Sequence, residues 1–234
     1  MASQLGSNRT ELPTARLRHP VVPALLFVLA TYVFNLGLNT VLFRLQAVLP
    51  GVAQQPIVAT PLPLLGAGAL SLVTGVAMTY LLLLFVRAVG GSAGHASSAP
   101  PSIGAAQLAR ATAVVVAGSV ATAIGFALLV APGLVVLAHL PFVFVAVALE
   151  DQPIARAVET AVSRVLAAPV PVATATLLTA LGLAAVAAFG ASTSLVPPAI
   201  EVVIGATGTA LVLLAGLYAF TELYQRDSRR QRGI

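Results

Sequence analysis

Six stretches, residues 21–43, 62–86, 111–130, 133–149, 170–191 and 199–220, run on as almost unbroken apolar sequence. Each approaches or exceeds the roughly 20 residues that a helix rising ~1.5 Å per residue needs to cross ~30 Å of hydrocarbon. Lipid supplies no hydrogen-bond partners, so a spanning chain must satisfy its backbone within a helix or within a closed barrel. These runs are continuous and do not alternate, which selects helices. Composition closes the argument: 59% of the residues are apolar and 8% charged, whereas a soluble domain carries about 25% charged residues. The sequence predicts an all-α, polytopic membrane bundle of six transmembrane helices with an amphipathic helix in the cytoplasmic interface. The chain divides into an N-terminal tail over 1–19, a membrane domain over 20–224 and a basic tail over 225–234.

The first run follows Arg9, Arg16 and Arg18 as a signal peptide would. At 23 residues it exceeds the ~7–15 residues of a signal-peptide core, and it reads as a retained span. Orientation follows from arginine. With the N-terminus in the cytoplasm, eleven of the twelve Arg fall inside and only Arg44 outside, a strong positive-inside bias. The outer connections 47–61, 131–132 and 191–198 contain no charged residue. Both termini are therefore expected in the cytoplasm of a cell-membrane protein, where the Asn8-Arg9-Thr10 sequon would stay unmodified. Twelve Arg with no Lys points to a GC-rich prokaryotic genome.

Between the spans, residues 88–107 are rich in Gly, Ser, Ala and Pro and read as a flexible cytoplasmic loop. Gly90-Gly91-Ser92-Ala93-Gly94, with His95 next, matches the G-x-S-x-G spacing. That motif works on a strand-to-helix turn of an α/β sheet, and here it follows a membrane helix. Residues 151–167 form the amphipathic segment. Ile154, Ala157, Val158, Ala161, Val162, Val165 and Leu166 recur at helical spacing, and Arg156, Glu159, Thr160, Ser163 and Arg164 take the other face. Asp151 is placed at its N-cap and Pro153 in its first turn. Small residues four apart, Ala113, Ala117, Ala121 and Gly125 in the third span and Thr176, Ala180, Ala184 and Ala188 in the fifth, are expected as packing seams. No repeat relates the first three spans to the last three, which gives no support to inverted-repeat transporter architecture.

Ionisable groups within lipid are costly, so each is a candidate functional residue. Arg44, His139 and Glu201 all fall in the outer part of the membrane under this topology. Arg44 and Glu201 are expected to form an ion pair that His139, two residues before Pro141, joins by a hydrogen bond. Asn35 and Asn39 would extend this polar face inward. The cluster reads as a structural clamp at the outer end or as a substrate site. At the cytoplasmic end Glu150 and Asp151 close the fourth span where Arg87 and Arg110 emerge, and inter-helix salt bridges are expected there.

The absence of Cys excludes disulfides, a thiolate nucleophile and zinc-thiolate sites. A net charge of +5 raises the question of nucleic acid, but the arginines flank apolar runs and form no basic stripe with interleaved aromatics. No cofactor, metal or catalytic signature emerges. Leu140-Pro141, Ala148-Leu149-Glu150-Asp151, Pro153 and Ala157-Val158, within residues 132–166, form a pattern that resembles the six-helix membrane domain family typified by the membrane part of glycerophosphodiester phosphodiesterases. Ala161 stands where that family often has Ser. The resemblance implies a stand-alone membrane domain, without the soluble phosphodiesterase barrel and its activity. The expected role is a non-enzymatic scaffold or accessory subunit, with a small transporter using Glu201, His139 and Arg44 as the rival. Expected partners are the bilayer, with anionic lipid at the cytoplasmic face meeting Arg226–Arg232, and a protein partner or a second copy of the chain.

Overall fold

A computed structural model describes residues 19–46, 58–92, 102–192 and 197–231 of the chain. Seven helices follow in order, with no strand among the described residues: α1 (Val21–Gln46), α2 (Leu64–Ser92), α3 (Ala105–Leu128), α4 (Val130–Glu150), α5 (Ile154–Ala167), α6 (Pro169–Ser192) and α7 (Pro198–Gln231). Six of them, all but α5, are long and apolar enough to cross a membrane. Their outward residues bear this out chemically. Leu29, Leu72, Leu178, Leu181 and Leu211 are more than half exposed, and apolar surface spread so widely suits lipid as the surrounding solvent.

The spanning helices pack as three antiparallel pairs, α1 on α2, α3 on α4 and α6 on α7, with α4 and α7 also touching each other. Glycine sets the depth of each seam. A Cβ on Gly37 would meet Ser71 Oγ at 2.6 Å, one on Gly125 would meet Gly133 N at 2.7 Å, and one on Gly216 would meet Thr179 Oγ1 at 2.7 Å. In lipid, where apolar burial does not drive helices together, such close backbone approach supplies the van der Waals contact that does.

The seams differ from those expected. Ala113, Ala117 and Ala121 are exposed, and α3 meets α4 through Ala111, Val114, Gly118 and Gly125. The reason is side-chain volume on the partner: Leu140 seats over Gly118, where even a methyl would collide with it. On α6, Thr176 is buried but Ala184 and Ala188 are exposed. There the contact follows Thr179 against Gly216, Gly182 against Val212 and Val186 against Gly208.

The core lies toward one end. Leu83, Phe85, Val86 and Val89 of α2, Phe142 to Ala148 of α4, and Leu214, Leu217 and Phe220 of α7 form one buried cluster. Phe142 and Phe220 meet edge to face with centroids 5.2 Å apart. All these residues but Leu214, at the middle of α7, sit in the second halves of their helices, the end where α5 crosses. In the other half α3 and α4 bury little beyond their mutual seam, and Val120, Ile124, Leu128, Leu129, Val130 and Val135 stay exposed.

Helix boundaries depart from expectation for local reasons. The α3–α4 turn is the single extended residue Leu129, ahead of the expected 131–132. Pro132 is accepted in the first turn of α4, where backbone N–H groups have no helical partner to lose. The loop expected over 88–107 is shorter, because α2 runs to Ser92 and α3 starts at Ala105. Gly90, Gly91 and Ser92 of the G-x-S-x-G match are thus helical, while Gly94 and His95 lie outside the described residues, as do Asn8 and the segment 1–18. The basic tail continues α7, which carries Arg226, Arg229 and Arg230 on a helix ending at Gln231; Arg232 lies outside the described residues.

Candidate functional site at the α5 end

The C-terminus of α4 organises this end of the bundle. A helix leaves its last four carbonyls without helical partners, and α4 stops at Glu150 because Asp151 turns into the left-handed region (φ 53°, ψ 31°). Asp is among the few residues that visit that region readily. Pro153 then forbids an earlier start for the next helix by holding Gln152 away from helical backbone. Asp151 is therefore the C-cap of α4. The expected N-cap role on α5 belongs to Pro153, with no side-chain cap bond.

Two side chains from neighbouring helices satisfy the α4 carbonyls. Gln107 of α3, buried to 4% exposure, donates through Nε2 to Val147 O at 2.7 Å and Ala148 O at 3.2 Å. Arg87 of α2 donates through Nε to Ala148 O at 3.1 Å and through Nη2 to Gln107 Oε1 at 2.6 Å. A guanidinium here also opposes the negative end of the α4 dipole. Arg110 pairs with Asp151 at 2.6 Å, a partly exposed bridge. Of the four residues expected together at this end, Arg87, Arg110 and Asp151 thus converge on the end of α4.

Glu150 turns the other way. Its Oε1 accepts the Tyr224 hydroxyl of α7 at 2.6 Å, and its Oε2 accepts Gln152 Nε2. Arg164 of α5 donates to Tyr224 O at 2.7 Å, and its guanidinium carbon lies 4.0 Å from the Tyr224 ring centroid, a cation–π distance. Tyr224 is 2% exposed. It ties the ends of α4, α5 and α7 into one joint. Beside that joint an open concavity of about 370 Å³ is lined by Glu150, Arg164 and Tyr224 together with Arg156, Glu159 and Ser163.

The three ionisable residues placed in the outer membrane are not brought together. Arg44 Nη2 donates to Leu62 O at 3.3 Å across the α1–α2 connection. His139 Nδ1 bonds Val135 O, one turn back on its own helix, at 2.7 Å. Glu201 lies beside Gly190, near the α6–α7 connection. The single ion pair among the described residues is Arg110–Asp151, so the expected Arg44–Glu201 pair is not formed. Depth along the span puts the three residues at one level, but α4 carries His139 in the arm that packs on α3, away from α1. Asn35 likewise donates to Thr31 O on its own helix at 2.8 Å.

A second polar contact across the α1–α2 connection comes from Thr40, fully buried, whose Oγ1 accepts Thr60 N at 2.8 Å. Gln107, Tyr224 and Thr40 were not singled out by the sequence pattern. For Tyr224 and Thr40 the signal available was a lone polar side chain at helical register with the buried face. Among the described residues no three of His, Cys, Asp or Glu gather as metal ligands would.

No protein family, curated protein or solved structure matches this chain.

Proposed function

We propose that this multi-pass membrane protein is a non-enzymatic scaffold or accessory subunit of the cell membrane, with both termini and α5 on the cytoplasmic side. The observation that carries the reading is the contrast in how polar groups are used. At the α5 end they bond one another across five helices: Arg87 and Gln107 hold the α4 carbonyls, Arg110 holds Asp151, and Glu150, Tyr224 and Arg164 join α4, α5 and α7. Such a joint fixes one end of the bundle. Of the residues a transporter would use, Arg44 bonds the Leu62 carbonyl and His139 a carbonyl of its own helix, and with Glu201 they form no shared polar path among the described residues. The positive-inside count supports the orientation.

The test is affinity purification in mild detergent from native cells, followed by mass spectrometry and, in parallel, flux measurements on reconstituted protein. A stoichiometric partner that is lost on reversing the charge of α5 with Arg156→Glu is the expected result. A protein that purifies alone and carries a solute flux abolished by Glu201→Gln would replace this reading with transport.

A further inference from the structure

At about 100° of rotation per residue, α5 divides into three sectors. Ala157 and Ala161 are fully buried and face the core. Ile154, Val158, Val162 and Leu166 form a second row, exposed at 39%, 45%, 41% and 74%, about a quarter turn from the first. Arg156, Thr160 and Ser163 mark the third, with Glu159 on the border between the second and the third. Exposed apolar surface does not stop at the end of α5. Beyond the turn at Ala168 come Val170, Leu177, Leu178 and Leu181 of α6, all more than half exposed, the kind of surface a spanning helix turns to lipid. Acyl chains are thus the occupant of the α5 row, and the concavity opens on the polar side of the same helix, at the level of headgroups.

Within that concavity most polar groups already satisfy one another. Glu150 accepts from Tyr224 and Gln152, Thr160 donates to Gln152, and Arg164 donates to Tyr224. Arg156, Glu159 and Ser163 make no hydrogen bond or ion pair among the described residues, although all three line the space. Arg156 and Glu159 stand three residues apart on one helix, with Cβ atoms ~5–6 Å apart, and do not pair with each other. The concavity therefore presents one unpaired guanidinium and one unpaired carboxylate about a turn apart on α5, with a hydroxyl about a turn further along. A simple anion satisfies Arg156 and is repelled by Glu159. A ligand that satisfies both carries a phosphate and an ammonium a few bonds apart.

We propose that this concavity binds the aminoalkyl-phosphate headgroup of a phosphatidylethanolamine-type lipid, whose acyl chains lie along Ile154, Val158, Val162 and Leu166. Arg156 donates to the phosphate oxygens in the two-pronged geometry that suits phosphate. Glu159 accepts from the ammonium. A trimethylammonium headgroup has no N–H to give Glu159, and a phosphoglycerol headgroup brings no cation, so each leaves the carboxylate unanswered. The proposal rests on α5 lying in the bilayer interface, and it holds whether or not a partner subunit exists.

The experiment is native mass spectrometry of the full chain equilibrated in detergent with equimolar phosphatidylethanolamine, phosphatidylcholine and phosphatidylglycerol. The first lipid is expected to be retained about tenfold over the other two, the factor given by one charge-assisted hydrogen bond. Glu159→Gln abolishes that preference and keeps phosphatidylglycerol bound, while Arg156→Gln lowers retention of all three. Both positions are exposed, and an unchanged melting profile shows that each variant is folded. Equal retention of the three lipids by the wild type, or a preference that survives both variants, overturns the proposal. Displacement of the lipid by free phosphoethanolamine at the same concentration overturns its lipid part and assigns the site to a soluble aminoalkyl phosphate. Each result is read on the isolated protein, so it is independent of the co-purification and flux outcomes.

Discussion

The two ends of this bundle use polar residues in opposite ways. At the α5 end, side chains from α2, α3 and α7 reach across to the end of α4, Arg164 of α5 reaches α7, and all spend their hydrogen bonds between helices. At the far end they mostly turn back on their own helix, as Asn35 does to Thr31 and His139 to Val135. A side chain that bonds its own backbone ties no helices together. An intramembrane polar group is therefore structural glue only when its nearest unsatisfied partner belongs to another helix, and a helix end supplies such partners in a way that a helix middle does not.

The largest expected effect tests the α5 end. Gln107→Leu keeps the size of a buried side chain but leaves the Val147 carbonyl without its donor and takes the Gln107 acceptor from Arg87. Orphaned buried polar groups cost ~1–3 kcal/mol each, so destabilisation of about 3 kcal/mol is expected, read as a lower Tm of the detergent-solubilised protein. An unchanged Tm would mean that water reaches this end freely and that the joint is not a joint.

The next effect belongs to the far half, where close backbone contact stands in for polar bonding. A Cβ at Gly125 would meet Gly133 N at 2.7 Å and Gly133 Cα at 2.8 Å, atoms of the opposing backbone that cannot rotate away. Gly125→Ala is expected to part α3 from α4 at a cost of about 2 kcal/mol. The same substitution at Gly68, where a Cβ meets nothing, provides the control, and equal melting of the two variants would show that the glycine seam carries no weight.

The difference between the ends also explains what could be read without coordinates. The six spans and α5 were legible because lipid makes length and periodicity sufficient. The Arg110–Asp151 pair was legible because both residues lie where spans emerge. Gln107 was hidden inside a stretch whose Gly, Ser and Pro content reads as loop, and its value depends on where α4 stops, which Asp151 and Pro153 decide some forty residues later. The Ala113, Ala117 and Ala121 ridge misled because small residues permit close approach without requiring it; the seam went to Gly118, where Leu140 needs the room. Arg44, His139 and Glu201 were matched by depth, and depth along a span leaves open which neighbour each helix face meets.

The smallest expected effect bears on those same residues. Arg44 is bound to a carbonyl at an exposed site and Glu201 is only half-buried, so Arg44→Gln and Glu201→Gln should each change stability by less than about 0.5 kcal/mol. Their combination is the sharper probe. Residues without a shared contact add within roughly 0.3–0.5 kcal/mol, whereas a pair in contact couples by ~0.5–3 kcal/mol. A double-mutant cycle measured by thermal melting should therefore give no coupling beyond that additive range. Coupling above about 1 kcal/mol would mean that in the bilayer the two charges find each other, that α1 and α7 are clamped at the far end as well, and that the polar bonding between helices is not confined to the α5 side.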